Sequence, residues 1–588
     1  MKKILIAGAA SVILLSLITV SCTRSSSGRT ATSPSEQRLS DSEDFLSIIQ
    51  RERTPGLPYD DSVWKGTGYN PEGPPGVEGN MPPAFRDMSN LFGGMEQMEM
   101  GSTPGDYLER EEFDPGNFDR VVDNPFRRVA DNPLSTFSVD VDTAGYSITR
   151  RYLLGNRMPP KSAIRIEELI NYFDYDYPPP NDGRPFAVHT ETASAPWNPG
   201  HLLARVAIKG KEFPAGKRPR VNLVFLLDVS GSMDAPNRLP LVISSMNMLV
   251  NELNGTDKVA ICVYAGAAGT VLPPTSCDKK KTIIAALDKL EAGGSTAGGT
   301  GIQLAYRLAE QNFDPQAVNR VILCTDGDFN VGITNRGDLI DLITEKAKSG
   351  VYLTALGFGM DNFQDGRLKQ LASKGNGNYG YIDTIEEAKK ILVDQLSGTL
   401  VTIAQDVKIQ VEFNRATVGA YRLIGYENRV MRNEDFNNDE ADAGDIGAGH
   451  TVTAFYELIP ADSPEVAALP GNDPLKYAPQ PANPDPDYNE LLTVKIRYKP
   501  PTGSQSILIE FPVAVSSVRK AGEESRDFLF AASVAGFGML LRDSPHRGNL
   551  TYTNVIDMAQ GALGQDVWGY REGFIRLAQK ARTVSGNE

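Results

Sequence analysis

Cysteine is scarce. The 588 residues hold four, at Cys22, Cys262, Cys277 and Cys324, with no Cys-x-x-Cys spacing. That excludes a disulfide-stapled scaffold and a thioredoxin-like redox motif, leaving room for one bridge at most among the last three. Histidine is equally sparse. His189, His201, His450 and His546 stand apart with no His-Glu-x-x-His pair, so each reads as a surface or packing residue. Also missing are the Gly-x-Ser-x-Gly elbow, the Gly-Lys-Ser/Thr phosphate loop and a dinucleotide-binding fingerprint. Positive charge is in deficit: 59 Lys and Arg face 74 Asp and Glu, for a net charge of −15. A field of that sign repels phosphate backbones, so nucleic acid is not an expected partner.

Long apolar runs are lacking too, except one. Lys2-Lys3 precede Ile4–Val20, which ends in Ser21-Cys22. A basic start, a short apolar middle and a small residue at the cut make a signal peptide over 1–22. The ending resembles the bacterial lipobox, with Thr19 where that pattern has Leu. The resemblance implies lipidation of Cys22, a membrane lipid anchor and a cell-envelope location. Residues 23–130 are rich in Ser, Pro, Gly and Met, without helix or strand period, and read as a disordered tether. Its MEQMEM patch reads as compositional noise rather than a soft-metal site.

Beyond the tether, 131–216 reads as an α+β segment. STFSVDVD alternates as a strand, Thr143–Leu154 as a helix capped by Asp142 or Thr143, and 163–173 as a second helix. Two strands follow, PFAVHTETAS and LLARVAIKG. Over 217–398 near-continuous apolar strands alternate with helices: VNLVFLL, KVAICVYAG, RVILCTDG, VYLTALGFG and GYIDT. That texture predicts an α/β fold, a doubly wound, mostly parallel sheet with helices on both faces. Over 399–588 five alternating strands precede two helices, about 523–542 and 552–582, with a Pro/Asp-rich insertion at 460–488. The strand signals on both sides of the α/β unit predict that it is inserted into one β-rich, sandwich-like region with terminal helices.

In the α/β unit, VNLVFLL runs into Asp228-Val-Ser230-Gly-Ser232. Ligands bind such sheets at the carboxyl ends of strands. Two further loops belong to that edge: GGSTAGGTG (293–301), bearing Thr296, and TDGDFN (325–330), bearing Asp326. Two carboxylates and three hydroxyls make a set of hard oxygen donors. Such donors select Mg²⁺, or Mn²⁺ or Ca²⁺, over zinc or copper.

These motifs, in this order, resemble the metal-ion-dependent adhesion site of von Willebrand factor type A (VWA) domains. Asp228, Ser230 and Ser232 match its first motif, Thr296 its threonine and Asp326 its second aspartate. The resemblance implies a divalent cation whose open position is completed by a partner's carboxylate. It extends over roughly 130 to 585 to bacterial type A lipoproteins with a dedicated N-terminal segment and a C-terminal domain of unknown function. The expected role is therefore non-enzymatic capture of an envelope or extracellular protein. One alternative is a metal-dependent hydrolase with Asp328 as base; another is a scaffold that binds through 400–588. Asp435, Asn437 and Asp439 open like an EF-hand loop, but Glu440 stands where glycine is needed and Ile446 where the bidentate Glu belongs. A solvated acidic loop is the better reading.

Overall fold

A computed structural model describes residues 121–139, 142–213, 217–294, 298–327, 336–359, 365–471, 488–501, 503 and 505–586. The signal peptide with Cys22, the tether up to residue 120, Asp140, Thr296, Asp328 and most of the 460–488 insertion lie outside them.

The chain opens with β1 (Arg127–Arg128), β2 (Leu134–Ser138), the helix Ala144–Leu154 and a short helix, Ile166–Ile170. Then come β3 (Phe186–Ala195) and β4 (Asn198–Gly210). The α/β unit follows with β5 (Arg220–Asp228), β6 (Lys258–Tyr264), β7 (Ala268–Ser276), β8 (Ala317–Thr325), β9 (Val351–Phe358) and β10 (Tyr379–Ile382). The last third supplies β11 (Thr402–Phe413), β12 (Val418–Ile424), β13 (Val430–Met431), β14 (Gly444–Gly447), β15 (Thr451–Pro460), β16 (Glu490–Lys499) and β17 (Ile507–Ala514). Helices Arg526–Arg542, Tyr552–Gly561 and Tyr570–Ser585 close it.

The central sheet runs β10-β9-β8-β5-β6-β7, parallel except for the antiparallel edge strand β7. Because β6 and β8 flank β5, chain order reverses beside β5, and its carboxyl end is the switch point of the sheet. Apolar residues cover both faces. Phe225 and Leu227 join one buried cluster, while Val224 and Leu226 join another. That burial on both sides is why VNLVFLL reads as an unbroken run.

Strands from both ends of the chain interleave around this unit. One sheet runs β1-β12-β15-β4-β3 and the other β13-β2-β11-β16-β17, with β14 also on β11. Phe455 of β15 opposes Arg205 of β4, and Ile409 of β11 opposes Phe137 of β2. Phe137, Val206, Val411, Tyr456 and Val494 share one core, so the two sheets form a sandwich into which the α/β unit is inserted. On the outer face of the first sheet, Leu203 and Phe455 pack with Phe530, Phe537 and Phe574 of the terminal helices.

Several elements differ from the sequence expectation. The strand β7 was not expected; Pro273-Pro274 hide it, and prolines are tolerated there because the strand is at the edge. The helix expected over 552–582 is two, separated by a turn with Gly564 and Gly569 at φ +64 and +74. The one expected over 163–173 is a 3₁₀ turn, Lys161–Ala163, followed by an α-helix at Ile166–Ile170. Thr143 holds the N-cap position without a side-chain cap, and Asp142 instead pairs with Lys369 at 2.7 Å. Residues 121–130, tether by composition, are docked on the sandwich. Asp123 pairs with Arg542 at 2.6 Å, and Asn124 Nδ2 donates to Gly425 O at 2.8 Å.

The fragment 399–588 lacks β2, β3 and β4, and so loses interior strands from both sheets. It is expected to show no cooperative thermal transition, whereas 121–588 unfolds sharply. A sharp transition in the shorter fragment would show the sandwich to be independent of the N-terminal strands.

Candidate metal centre

Asp228 is the last residue of β5 and fully buried. Its Oδ1 accepts from Ser230 N at 2.9 Å and its Oδ2 from Thr325 Oγ1 at 3.2 Å. Thr325 ends β8, so the carboxylate joins the two strands at the switch point. The chain then turns through Ser230 into a single 3₁₀ turn, Gly231–Asp234. The hydroxyls of Ser230 and Ser232 lie 3.0 Å apart. Ser230 is buried and Ser232 is exposed, so the donor set opens from a sealed carboxylate to solvent.

The glycine loop is tied to the same turn. Gly231 N donates to Gly294 O at 2.9 Å, and Gly293 N donates to Val229 O at 2.8 Å. The helix Gly298–Gln311 starts just beyond, and a Cβ at Gly301 would come within 2.9 Å of the Tyr264 side chain. Thr296 itself lies between these anchors, outside the described residues. Asp326 follows β8 and is buried, with its Oδ2 3.2 Å from Arg238 Nη1. The same Nη1 donates to the Ser232 carbonyl. Arg238 belongs to none of the motifs and was not singled out from the sequence.

Burial pushes the Asp228 carboxyl up to about 6, and the Asp326 charge adds to this against the bonds from Ser230. Two acids around a turn of hydroxyls form an anionic, all-oxygen cluster that opens at Ser232. That chemistry fits a hard divalent cation. Among the described residues, no group of three His, Cys, Asp or Glu gathers to hold a metal.

The other candidates do not converge. Asp435 pairs with Arg432, the Asn437 side chain accepts from Arg497 at 2.9 Å, and the Asp439 carbonyl from Lys499 at 2.7 Å. His201 is buried between Glu457 at 2.6 Å and Glu465 at 2.9 Å, as a packed polar residue. Gly375, Gly377 and Gly380 do spell Gly-x-Gly-x-x-Gly, but they lead from the helix Asp365–Lys374 into β10. That is the reverse of a dinucleotide turn. A Cβ at Gly377 would overlap Leu353 O, so the glycine serves close packing.

A family model described as von Willebrand factor type A domain matches 222–395. One described as "Uncharacterized protein YfbK, C-terminal" matches 398–584, and one described as von Willebrand factor matches 112–205. The protein YfbK of Escherichia coli (strain K12), described as uncharacterized, is 43% identical over 476 residues, covering 80% of this chain and 81% of that one. The chain belongs to the YfbK family. It carries a VWA domain followed by the YfbK C-terminal domain. Inter-alpha-trypsin inhibitor heavy chain H2 of Homo sapiens is 26% identical over 181 residues, 29% of this chain and 19% of that one. Among solved structures, a von Willebrand factor type A protein from Catenulispora acidiphila aligns with a TM-score of 0.38 at 16% identity, covering 68% of this chain and 91% of that one. VWA domains commonly join proteins in a metal-dependent way, often through a divalent ion at the adhesion site, and are typically not enzymes.

The raised Asp228 pKa has a sign. A carboxyl titrating near 6 when folded and near 3.8 when unfolded makes metal-free protein lose stability as pH rises through that window. Asp228→Asn removes this cost and keeps an acceptor for Ser230 N. In chelator at pH 7.5, the variant should be more stable than the parent by on the order of 1–3 kcal/mol. The gap should close near pH 4, read from urea midpoints. Equal midpoints at both pH values would count against a strained carboxylate.

Proposed function

We propose that this protein is a lipid-anchored cell-envelope protein that captures a protein partner through a hard cation, Mg²⁺ in the first instance. The observation that carries the reading is the meeting of Asp228, Ser230, Ser232 and Asp326 at the switch point. The Asp228–Thr325 bond and the Arg238 bridge join the two strand ends. Ser230 and Ser232 would offer neutral oxygens to the ion, with Asp228 and Asp326 supplying the charge and Thr296 a further hydroxyl. When bound, the ion supplies an electrophilic position for an acidic side chain of the partner. With the hydroxyls as direct ligands and the aspartates acting through water, the ion would keep much of its charge, which favours a carboxylate over a neutral ligand.

The rigid parts support this role. The turn leaves a strand buried on both faces, so the oxygens are held before a partner arrives and little ordering is lost on binding. The N-terminal Cys22 would provide the membrane attachment, through a lipid on the processed terminus. The partner would be an envelope or extracellular protein presenting an exposed Glu or Asp.

Envelope proteins captured on the immobilised protein in Mg²⁺ should elute with EDTA and be absent with Asp228→Ala. Capture that persists in EDTA would sink the metal-dependent reading. Separately, Cys22→Ser should abolish labelling with a fatty-acid analogue in cells and release the protein from membranes; labelling that survives would remove the anchor.

A further inference from the structure

Arg238 is tucked into the site rather than extended into solvent. Its side chain is about 15% exposed. One face lies on Gly359, where a Cβ would come within 2.7 Å of Nε and displace the guanidinium, and where a φ of +89 itself favours glycine. Its Nη1 reaches Asp326 Oδ2 at 3.2 Å and the Ser232 carbonyl, two groups of the first and third ligand-bearing turns. A permanent positive charge therefore stands among the oxygens that would receive a cation.

Resting on the metal reading above, we infer that Arg238 is a built-in competitor that weakens the site for a bare cation and couples cation binding to the arrival of an acidic partner. Two effects follow from its position. Its charge repels a divalent ion a few ångströms away, in a partly buried setting where Coulomb terms are weakly screened. It also occupies Asp326, so engagement of that carboxylate by the ion has to break an ion pair first. A partner's carboxylate reverses both effects, because it neutralises the added charge and offers the released guanidinium a new acceptor. The site is then weak for the ion alone and strong for the ion and acid together, which is positive linkage.

Direct Mn²⁺ binding, by calorimetry and by loss of the free-ion electron paramagnetic resonance signal, tests this on the full chain. Arg238→Gln should bind Mn²⁺ about tenfold or more tightly than the parent. Arg238→Lys, which keeps the charge, should stay within about threefold of the parent. Acetate should tighten Mn²⁺ binding in the parent and do so less in Arg238→Gln. Thermal unfolding in chelator checks that both variants fold. Equal or weaker Mn²⁺ binding by a folded Arg238→Gln overturns the inference while the metal reading stands. Absence of Mn²⁺ binding in all three proteins overturns both.

Discussion

The fold depends most visibly on the burial of β5 on both faces of a parallel sheet. A strand so placed has its side chains sealed above and below, and only its end meets solvent. The Asp228 carboxylate lies at that end and is held by Ser230 N and Thr325 Oγ1. Reversal of chain order beside β5 makes the adjoining carboxyl ends of β5 and β8 the switch point of the sheet, where such folds bind ligands. That place is also where the chain delivers its acids and hydroxyls.

A second constraint is the interleaving of the two chain ends. The strands β2 and β4 enter before the VWA domain, and their partners β11 and β15 follow it. Both junctions of the inserted domain are therefore held by sheet hydrogen bonds. Such a domain is attached at two points rather than one, which restricts its rotation against the sandwich. Polar contacts add to this: Arg150 reaches Glu387 at 2.9 Å, and Lys369 bridges Asp142 at 2.7 Å and Glu168 at 2.8 Å.

Much of this was legible in the residues. Apolar runs such as VNLVFLL and RVILC announce parallel strands because both faces are buried, and Asp-x-Ser-x-Ser marks the turn after the first. The less legible parts have physical reasons. Pro273 and Pro274 disguise β7, whose edge position makes their missing N–H groups harmless. The strands β1, β13 and β14 are too short to show a period. Residues 121–130 show no period because a two-residue strand, one buried valine, Val129, and the polar side chains of Asp123 and Asn124 hold them. Arg238 was invisible because its significance comes from Gly359 and Asp326, both distant in the chain, and not from local spacing.

Contacts continue from Arg238 away from the site. Gly359, on which it rests, follows β9, and its carbonyl accepts from the Tyr381 hydroxyl of β10. That hydroxyl in turn accepts from Arg151 Nη1 at 3.0 Å, on the helix Ala144–Leu154. A continuous line of hydrogen bonds and packing thus joins Asp326 to the N-terminal segment. Continuity alone is not coupling, which needs an element with two arrangements that both ends can bias. On the inference above Arg238 is such an element: its guanidinium is paired with Asp326 here and would turn to the partner's acid once the ion takes that carboxylate. That change would alter what lies against Gly359, whose carbonyl accepts the Tyr381 bond. The N-terminal segment is then more than a spacer: through Tyr381 it reaches Gly359, the residue on which Arg238 rests.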